Sequence, residues 1–279
     1  MVTRSEWLKV AAARLESAGC EDASFDARCL LENFGGLPRG HRPDGTPLTE
    51  QQVTALGDAL EQRASGRPLQ YILGEWDFLA LTLRVGEGVL IPRPDTEALC
   101  ETAAGLLAEV SAPKVLDLCA GTGCVGLGVA SLCPGAQVTA VELSEQAFPY
   151  LQENIARYPA LSVTAVRGDV LADWEHFSDG WDAILSNPPY IPTADLSGLM
   201  REVQHEPMMA LDGAADGLAF YRVIAARWSG LLRNGGFCAV EVGFDQAPAV
   251  VALFADAGLK NIRIIPDLAG ISRVVVGEK

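Results

Sequence analysis

Two stretches of this 279-residue chain combine residue types and spacings that could do chemistry: SNPPYIPT at residues 186–193 and DLCAGTGCVG at residues 117–126. In the first, each proline fixes its own φ, lacks an N–H and holds the preceding residue in extended backbone. Asn187 and Pro188 are therefore extended, and their carbonyls meet no donor from Pro188 or Pro189. The product is a rigid array of acceptors. An amide or aromatic-ring NH2 group has a delocalised lone pair and is a poor nucleophile. If the Asn187 side-chain oxygen and the Pro188 carbonyl each accept one of its hydrogens, the nitrogen is fixed and the positive charge developing on it during attack is stabilised. Tyr190 can pack on the flat face of the same group. Asn187, Pro188, Pro189 and Tyr190 thus read as a binder for a planar NH2 group awaiting a methyl. The rival reading is a bend that merely ends a strand, as most Pro-Pro pairs do. No strong general base is needed before transfer, because the nitrogen becomes acidic only afterwards.

The second stretch sets Gly121, Gly123 and Gly126 in G-x-G-x-x-G spacing between a predicted strand and a predicted helix. Glycines there permit a tight turn and close approach of a ligand to the backbone, while Glu142, ending the next strand, is placed to accept from a ribose. A nucleoside-containing cofactor follows, of one of two classes. A nicotinamide dinucleotide would lay a pyrophosphate on the helix N-terminus, whereas S-adenosyl-L-methionine carries a carboxylate, an ammonium and a sulfonium instead. Asp117, at the strand's end, suits the cationic cofactor. It could equally tie down the loop by accepting backbone N–H groups. Asp169 is placed after the third strand to accept from an adenine amino group, with Val170 available to pack on the base.

These loops need a scaffold that brings strand ends together. From Lys114 onward, strand-like runs VLDL, QVTAVEL, SVTAVRG, WDAILS, FCAVEVG, NIRIIPD and SRVVVG are interleaved at first with helical patterns. Such alternation predicts βαβ units in a mostly parallel sheet covered on both faces. Only DLAGI separates the last two runs, too little for a parallel crossover, so the last strand should be antiparallel. Upstream, residues 5–34 carry apolar positions at helical spacing, residues 35–48 form a Gly/Pro-rich loop, and Thr49 opens another amphipathic helix. In WDFLALTLRVGEGVLIP, two apolar runs flank Gly86, Glu87 and Gly88, which predicts a hairpin turning there. Asp95 is the expected N-cap of the helix DTEALCETAAGLLAEV. The domain division expected is helical over residues 1–75, a β-hairpin linker over 76–92, and the nucleotide-type sheet over 93–279.

Composition removes several classes. The formal net charge is −15, with 9 Lys and Arg against 13 Asp and Glu over residues 1–90 and 12 against 23 in the rest. Duplex nucleic acid is held mainly by cations on phosphates, so no direct nucleic acid partner is expected. The 7 cysteines form no C-x-x-C pair and the 3 histidines are scattered. Neither a zinc site nor a disulfide framework is signalled, and reduced thiols in a cytoplasmic protein are expected. The amphipathic N-terminus lacks the unbroken apolar core of a signal peptide, and no run is long enough to cross a bilayer.

DLCAGTG, AVELS and SNPPYI together resemble the seven-stranded S-adenosylmethionine-dependent methyltransferases (Rossmann-like α/β) whose Asn-Pro-Pro-Tyr motif modifies planar amino groups. Residues 67–99, with LIPRPDTE, and residues 206–222, EPMMALDGAADGLAFYR, further resemble the PrmC/HemK family of release factor glutamine methyltransferases. That resemblance implies methylation of the side-chain amide nitrogen (N5) of glutamine in the Gly-Gly-Gln motif of class 1 peptide chain release factors. It implies S-adenosyl-L-methionine as cofactor, held by Asp117, Cys119, Ala120, Gly121, Thr122, Gly123, Glu142, Asp169, Val170 and Asn187. Asn187, Pro188 and Tyr190 would be catalytic, and Asn187 to Tyr190 would hold the glutamine. The small N-terminal helical domain would recognise the release factor, and the enzyme would act as a monomer without metal. The chain departs from the family pattern at Cys119, where glycine is usual, at Glu142, where aspartate is usual, and at Val170, which is often aromatic. Rival substrates are a ribosomal protein glutamine, disfavoured by RPDTE, and a DNA adenine or cytosine amino group, disfavoured by the acidic charge.

Overall fold

A computed structural model describes residues 1–267 and 270–279, so part of the DLAGI connection lies outside the described residues. The chain divides into two units, residues 1–75 with 200–205, and residues 76–199 with 206–279.

The first unit is helical: α1 (Arg4–Ser17), α2 (Ala23–Phe34), α3 (Glu50–Ala64) and the short α4 (Leu69–Leu73). α1 and α3 each open on a capping box, Thr3 with Glu6 and Thr49 with Gln52, which satisfies N–H groups that the first helical turn leaves free. Leu15, Ala27, Leu30, Leu31 and Leu56 are fully buried where the apolar stripes of α1, α2 and α3 meet. One buried cation completes this unit. Arg63 Nε lies 2.7 Å from Asp26 Oδ2 and its other nitrogens reach Glu202 Oε1 at 3.0 Å.

The second unit begins with the strands β1 (Glu75–Phe78) and β2 (Leu81–Arg84), which form a two-stranded sheet. The hairpin therefore turns at Leu79–Ala80 and not, as the glycines suggest, at Gly86–Gly88. Leu79 takes a φ of 52°, and its N–H is fixed by Glu97 Oε1 at 2.9 Å. A tertiary hydrogen bond holds a turn that carries no Gly, Pro or Asn. After a 3-10 turn at Pro94–Thr96 comes α5 (Glu97–Leu107). Asp95 does not cap it: its carboxylate pairs with Arg273 Nη2 at 2.9 Å, and a cation elsewhere in the fold outcompetes the local N–H groups.

Thereafter strands and helices alternate: β3 (Lys114–Leu118), α6 (Cys124–Leu132), β4 (Gln137–Glu142), α7 (Phe148–Arg157), β5 (Ser162–Arg167) and β6 (Trp181–Ser186). They are followed by α8 (Ala219–Ala226), β7 (Leu232–Glu241), α9 (Ala247–Asp256), β8 (Lys260–Pro266) and β9 (Ser272–Glu278). The seven strands from β3 on form one sheet in the order β5-β4-β3-β6-β7-β9-β8, parallel except that β9 runs antiparallel to both β7 and β8. Successive side chains of a strand point to opposite faces, and the core divides accordingly. Val115, Ala183, Leu185 and Ala239 pack with α5 and α6, while Leu116, Ile184, Cys238 and Val240 pack with α8, α9 and Trp228.

The strand order fixes the place for a ligand. From β3 the chain winds outward through β4 to β5, then returns to lay β6 on the other side of β3 and winds outward through β7. Connections leaving β3 and β6 diverge to opposite sides, opening a crevice beyond their carboxyl ends.

Candidate active site

The glycine loop leaves β3 and SNPPY leaves β6, so both reach that crevice. A cavity of about 370 Å³ lies there. Of the residues singled out from the sequence, Cys119, Ala120, Gly121, Thr122, Glu142, Asp169, Val170, Asn187 and Pro189 line it. Asp117, Gly123, Pro188 and Tyr190 do not.

The loop after β3 is shaped by backbone bonds. Ala120 N donates to Val141 O at 3.0 Å, stitching the loop to β4. Gly121 N donates to Glu142 Oε2 at 2.7 Å, and the other oxygen, Oε1, accepts from Ser144 N at 2.6 Å. Glu142 is thus locked at the strand end while keeping lone pairs for a further donor. Cys119 sits at φ 59°, a left-handed conformation costing an L-residue about 1–2 kcal/mol. Burial pushes its thiol well up, so it stays protonated.

Asp117 lies behind this loop, 1 % exposed. Its Oδ2 accepts from Gly126 N at 2.8 Å, and Oδ1 has no partner. Burial, aided by the charge of Glu142 and opposed by the Gly126 bond, pushes this carboxyl up to about 7. The loop-tying role allowed for Asp117 is the one the geometry displays. Thr122 Oγ1 is a second buried atom without a partner, and its residue lines the cavity. At the end of β5, Asp169 Oδ1 accepts from Leu171 N at 2.8 Å, and the Val170 carbonyl is fixed by Trp228 Nε1 at 2.8 Å.

The loop after β6 is held differently. Ser186 Oγ, fully buried, donates to Leu118 O at 2.7 Å and ties the two strand ends together. Asn187 Nδ2 donates to Thr96 Oγ1 at 3.0 Å. Gln246 Nε2 donates to Tyr190 O at 2.8 Å. Ile191 N donates to Leu211 O at 2.9 Å and Gly213 N to Ile191 O at 2.8 Å, so residues 211–213 back the loop as a single bridge. The Tyr190 ring packs against the core cluster around α8 and α9, and burial pushes its phenol up to about 12.

Several cavity residues were given no role from the sequence. Val89, Leu90 and Pro92 come from the segment taken for half a hairpin, Arg93 and Thr96 from the turn and helix start after it, and Pro207, Met209, Ala210 and Phe220 from the segment 206–222. The two segments are joined: Glu206, 4 % exposed, accepts from Ile91 N at 3.0 Å and pairs with Arg93. The signal available was the proline pair flanking Arg93, which stiffens a non-strand segment just as the pair after Asn187 does.

Comparison with known proteins bears on this architecture. The PrmC N-terminal domain model matches residues 6–74 and the methyltransferase small domain model matches residues 96–204. The catalytic domain of hMettl16, solved in complex with the MAT2A 3'UTR hairpin 6, shares the fold with a TM-score of 0.59 at 13% identity, covering 88% of this chain and 89% of that one. The release factor glutamine methyltransferase of Gloeobacter violaceus is 44% identical over 97% of this chain and 95% of its own length. That of Caulobacter vibrioides is 38% identical over 95% of this chain and 93% of its own. With such identity over nearly the whole of both chains, this chain belongs to the release factor glutamine methyltransferase family.

Proposed function

We propose that this chain methylates the side-chain amide nitrogen, N5, of the glutamine in the Gly-Gly-Gln motif of class 1 peptide chain release factors, using S-adenosyl-L-methionine. The observation that carries the reading is that the glycine loop and SNPPY, from the two strands at the switch point, open on one cavity. Family membership selects an amide over a nucleobase.

The residues present fit the cofactor. The charged residues lining the cavity are Glu142, Asp169, Asp212 and a single cation, Arg93, which is itself paired with Glu206. A pyrophosphate would meet carboxylates here, whereas a sulfonium and an ammonium find complementary charge, with Asp117 behind the loop adding to it. Glu142 would accept from the ribose, Asp169 and Val170 would hold the adenine, and Cys119 to Gly123 would follow the amino acid portion with the orphaned Thr122 hydroxyl as a donor. When bound, S-adenosyl-L-methionine supplies an electrophilic methyl group and leaves as S-adenosyl-L-homocysteine.

The chain's own part is to make an amide nitrogen react. Asn187 Oδ1 and the Pro188 carbonyl accept its two hydrogens, fix its position and stabilise the charge it gains. Pro189 walls the cavity, and Tyr190 holds the loop in place from the core side. The nitrogen sheds one proton to water once it carries the methyl group. The helical unit docks the release factor, the enzyme works as a monomer in the cytoplasm, and no nucleic acid takes part.

Incubation with labelled S-adenosyl-L-methionine and three acceptors, an unmodified release factor, ribosomal protein and DNA, tests this by mass spectrometry. Label on the release factor glutamine is expected; label on DNA or ribosomal protein alone overturns the reading. Deleting residues 1–65 should weaken the reaction on the release factor more than on a short Gly-Gly-Gln peptide. Equal loss on both would assign those helices to stability.

A further inference from the structure

The Asn187 hydrogen bond to Thr96 leads into the protein. Thr96 is fully buried and accepts from Asn187 Nδ2 at 3.0 Å, and the carboxylate of Glu241 lies beside its hydroxyl. Glu241 ends β7, is 2 % exposed, and its Oε2 has no partner at all. A carboxylate held in a sealed core beside one hydroxyl calls for a purpose, because an isolated buried charge is costly to hold.

Hydrogen-bond polarity supplies one. A carboxylate only accepts, and a threonine hydroxyl has one proton to give. A Thr96 hydroxyl that turns its proton toward the neighbouring Glu241 carboxylate can only accept from Asn187. The two ends of a carboxamide are nearly the same size and shape, so packing alone cannot choose which faces the cavity. An amide turned the other way would present NH2 to the substrate's NH2, donor against donor. The Thr96 acceptor forces Nδ2 inward and leaves Oδ1 as the outward atom.

We propose that Glu241 and Thr96 are positioning residues that set the polarity of the Asn187 amide, and so restrict the site to substrates offering an N–H donor. The inference rests on the methyl-transfer reading and adds to it two residues that neither touch the substrate nitrogen nor hold the cofactor.

The test compares the full-length wild type with Thr96→Val, which keeps the shape and removes the hydroxyl, Thr96→Ser, which keeps the hydroxyl, and Glu241→Gln. Steady-state kinetics on the release factor, cofactor affinity by calorimetry and thermal melting are measured on each. Thr96→Val should lower kcat by about 30-fold or more, below the cost of removing a transition-state hydrogen bond outright. Its KM for the release factor and its Kd for S-adenosyl-L-methionine should stay within about threefold, since the lost interaction acts on orientation. Thr96→Ser should recover most of the loss. Glu241→Gln, whose amide can both donate and accept, should fall between.

A readout independent of turnover is the side-chain NH2 signal of Asn187 in protein labelled with 15N-asparagine. It should be a single hydrogen-bonded pair in the wild type and in Thr96→Ser, and broadened or doubled in Thr96→Val. A folded Thr96→Val with wild-type kcat and an unchanged Asn187 signal would overturn the proposal, as would a Thr96→Ser variant as impaired as Thr96→Val. If the wild type does not methylate a release factor, the methyl-transfer reading fails, while the NMR comparison still decides whether Thr96 orients Asn187.

Discussion

The loops on the two sides of the cavity are built by opposite means. After β3, the chain is shaped from nearby residues: Gly121 and Gly126 give their N–H groups to Glu142 and Asp117, and the turn is short and local. After β6, SNPPY is stiff by itself but is aimed by side chains from remote segments, Thr96 on Asn187 and Gln246 on the Tyr190 carbonyl. A loop that grips a cofactor needs shape, which backbone and glycine provide. A loop that activates a nitrogen needs acceptors pointing one way, which only polar partners outside the loop can enforce.

That contrast is broken most severely at Asn187. Asn187→Ala should lower kcat by about 10²–10³-fold, the scale for losing one preorganised transition-state hydrogen bond. Its affinity for S-adenosyl-L-methionine, measured calorimetrically, should change little. Parallel loss of both would move Asn187 to the cofactor side and erase the division drawn above.

Two glycine substitutions sharpen it. Gly217 has φ 71°, and a Cβ there would strike the Tyr190 carbonyl oxygen. Gly123 has φ 81°, and its Cβ would lie 2.6 Å from Leu151 Cδ1, the movable end of a side chain. Alanine at either site costs about 1–2 kcal/mol for the left-handed backbone, and the backbone clash at Gly217 adds to it, so the melting temperature should fall further for Gly217→Ala. Their kinetic signatures should diverge. Gly217→Ala displaces the SNPPY side and should lower kcat by about tenfold or more, since small misplacements of reacting groups are costly. Gly123→Ala should mainly raise the Kd for S-adenosyl-L-methionine.

The same difference decides what was legible in the sequence. The glycine loop, Glu142 and Asp169 are legible as cavity-lining residues because their partners are near in the chain or recur at the ends of successive strands, where periodicity marks position. SNPPY was found for its internal stiffness. Its supports were not: Thr96 lies 91 residues before Asn187, and Gln246 lies 56 residues after Tyr190. A threonine inside RPDTE or a glutamine in a strand-to-helix turn carries no local mark of such a partner. The misplaced hairpin has the same origin, since the turn at Leu79 is held by Glu97, and so has Asp95, drawn from its cap by Arg273. In both cases a contact from a distant segment overrode a sound local preference. The sheet itself was readable, because burial on both faces imposes near-continuous apolar runs and the short final connection leaves antiparallel pairing as the only geometry.

Gln246→Leu weakens the remote support with a smaller change. The Tyr190 carbonyl loses its side-chain donor, while Gly243 N, which donates to Gln246 Oε1 at 3.1 Å, loses its acceptor. Losses of about 1–3 kcal/mol are typical for buried groups left unpaired, and a kcat lower by about three- to tenfold is expected with cofactor affinity intact. An unchanged kcat would mean that the prolines suffice to aim the loop.

The mildest perturbation is pH, and it too separates the two sides. Burial pushes Glu241 up to about 7, opposed by the neighbouring Thr96 hydroxyl and by Arg273 and Arg93 and aided by Asp95. Tyr190, Tyr221, Cys100 and Cys124 also feel its charge, but burial pushes each of these phenols and thiols upward, so they stay neutral as Glu241 titrates. Protonated Glu241 can donate to Thr96 and release the constraint on Asn187. kcat should therefore fall as pH drops through about 7, and Glu241→Gln should remove that limb. Asp117 is raised to about 7 as well, but from behind the glycine loop. An acid whose pKa is raised on folding binds its proton more tightly in the folded state, so its contribution to stability is greatest at low pH and is lost as pH rises from the unfolded value toward about 7. Asp117→Asn removes this loss. Measured by urea unfolding without cofactor, its stability relative to wild type should increase between about pH 5 and about pH 8. A constant difference across that range would show that Asp117 ionises in the folded protein as freely as in the unfolded chain, so that burial behind the glycine loop carries no penalty for its charge.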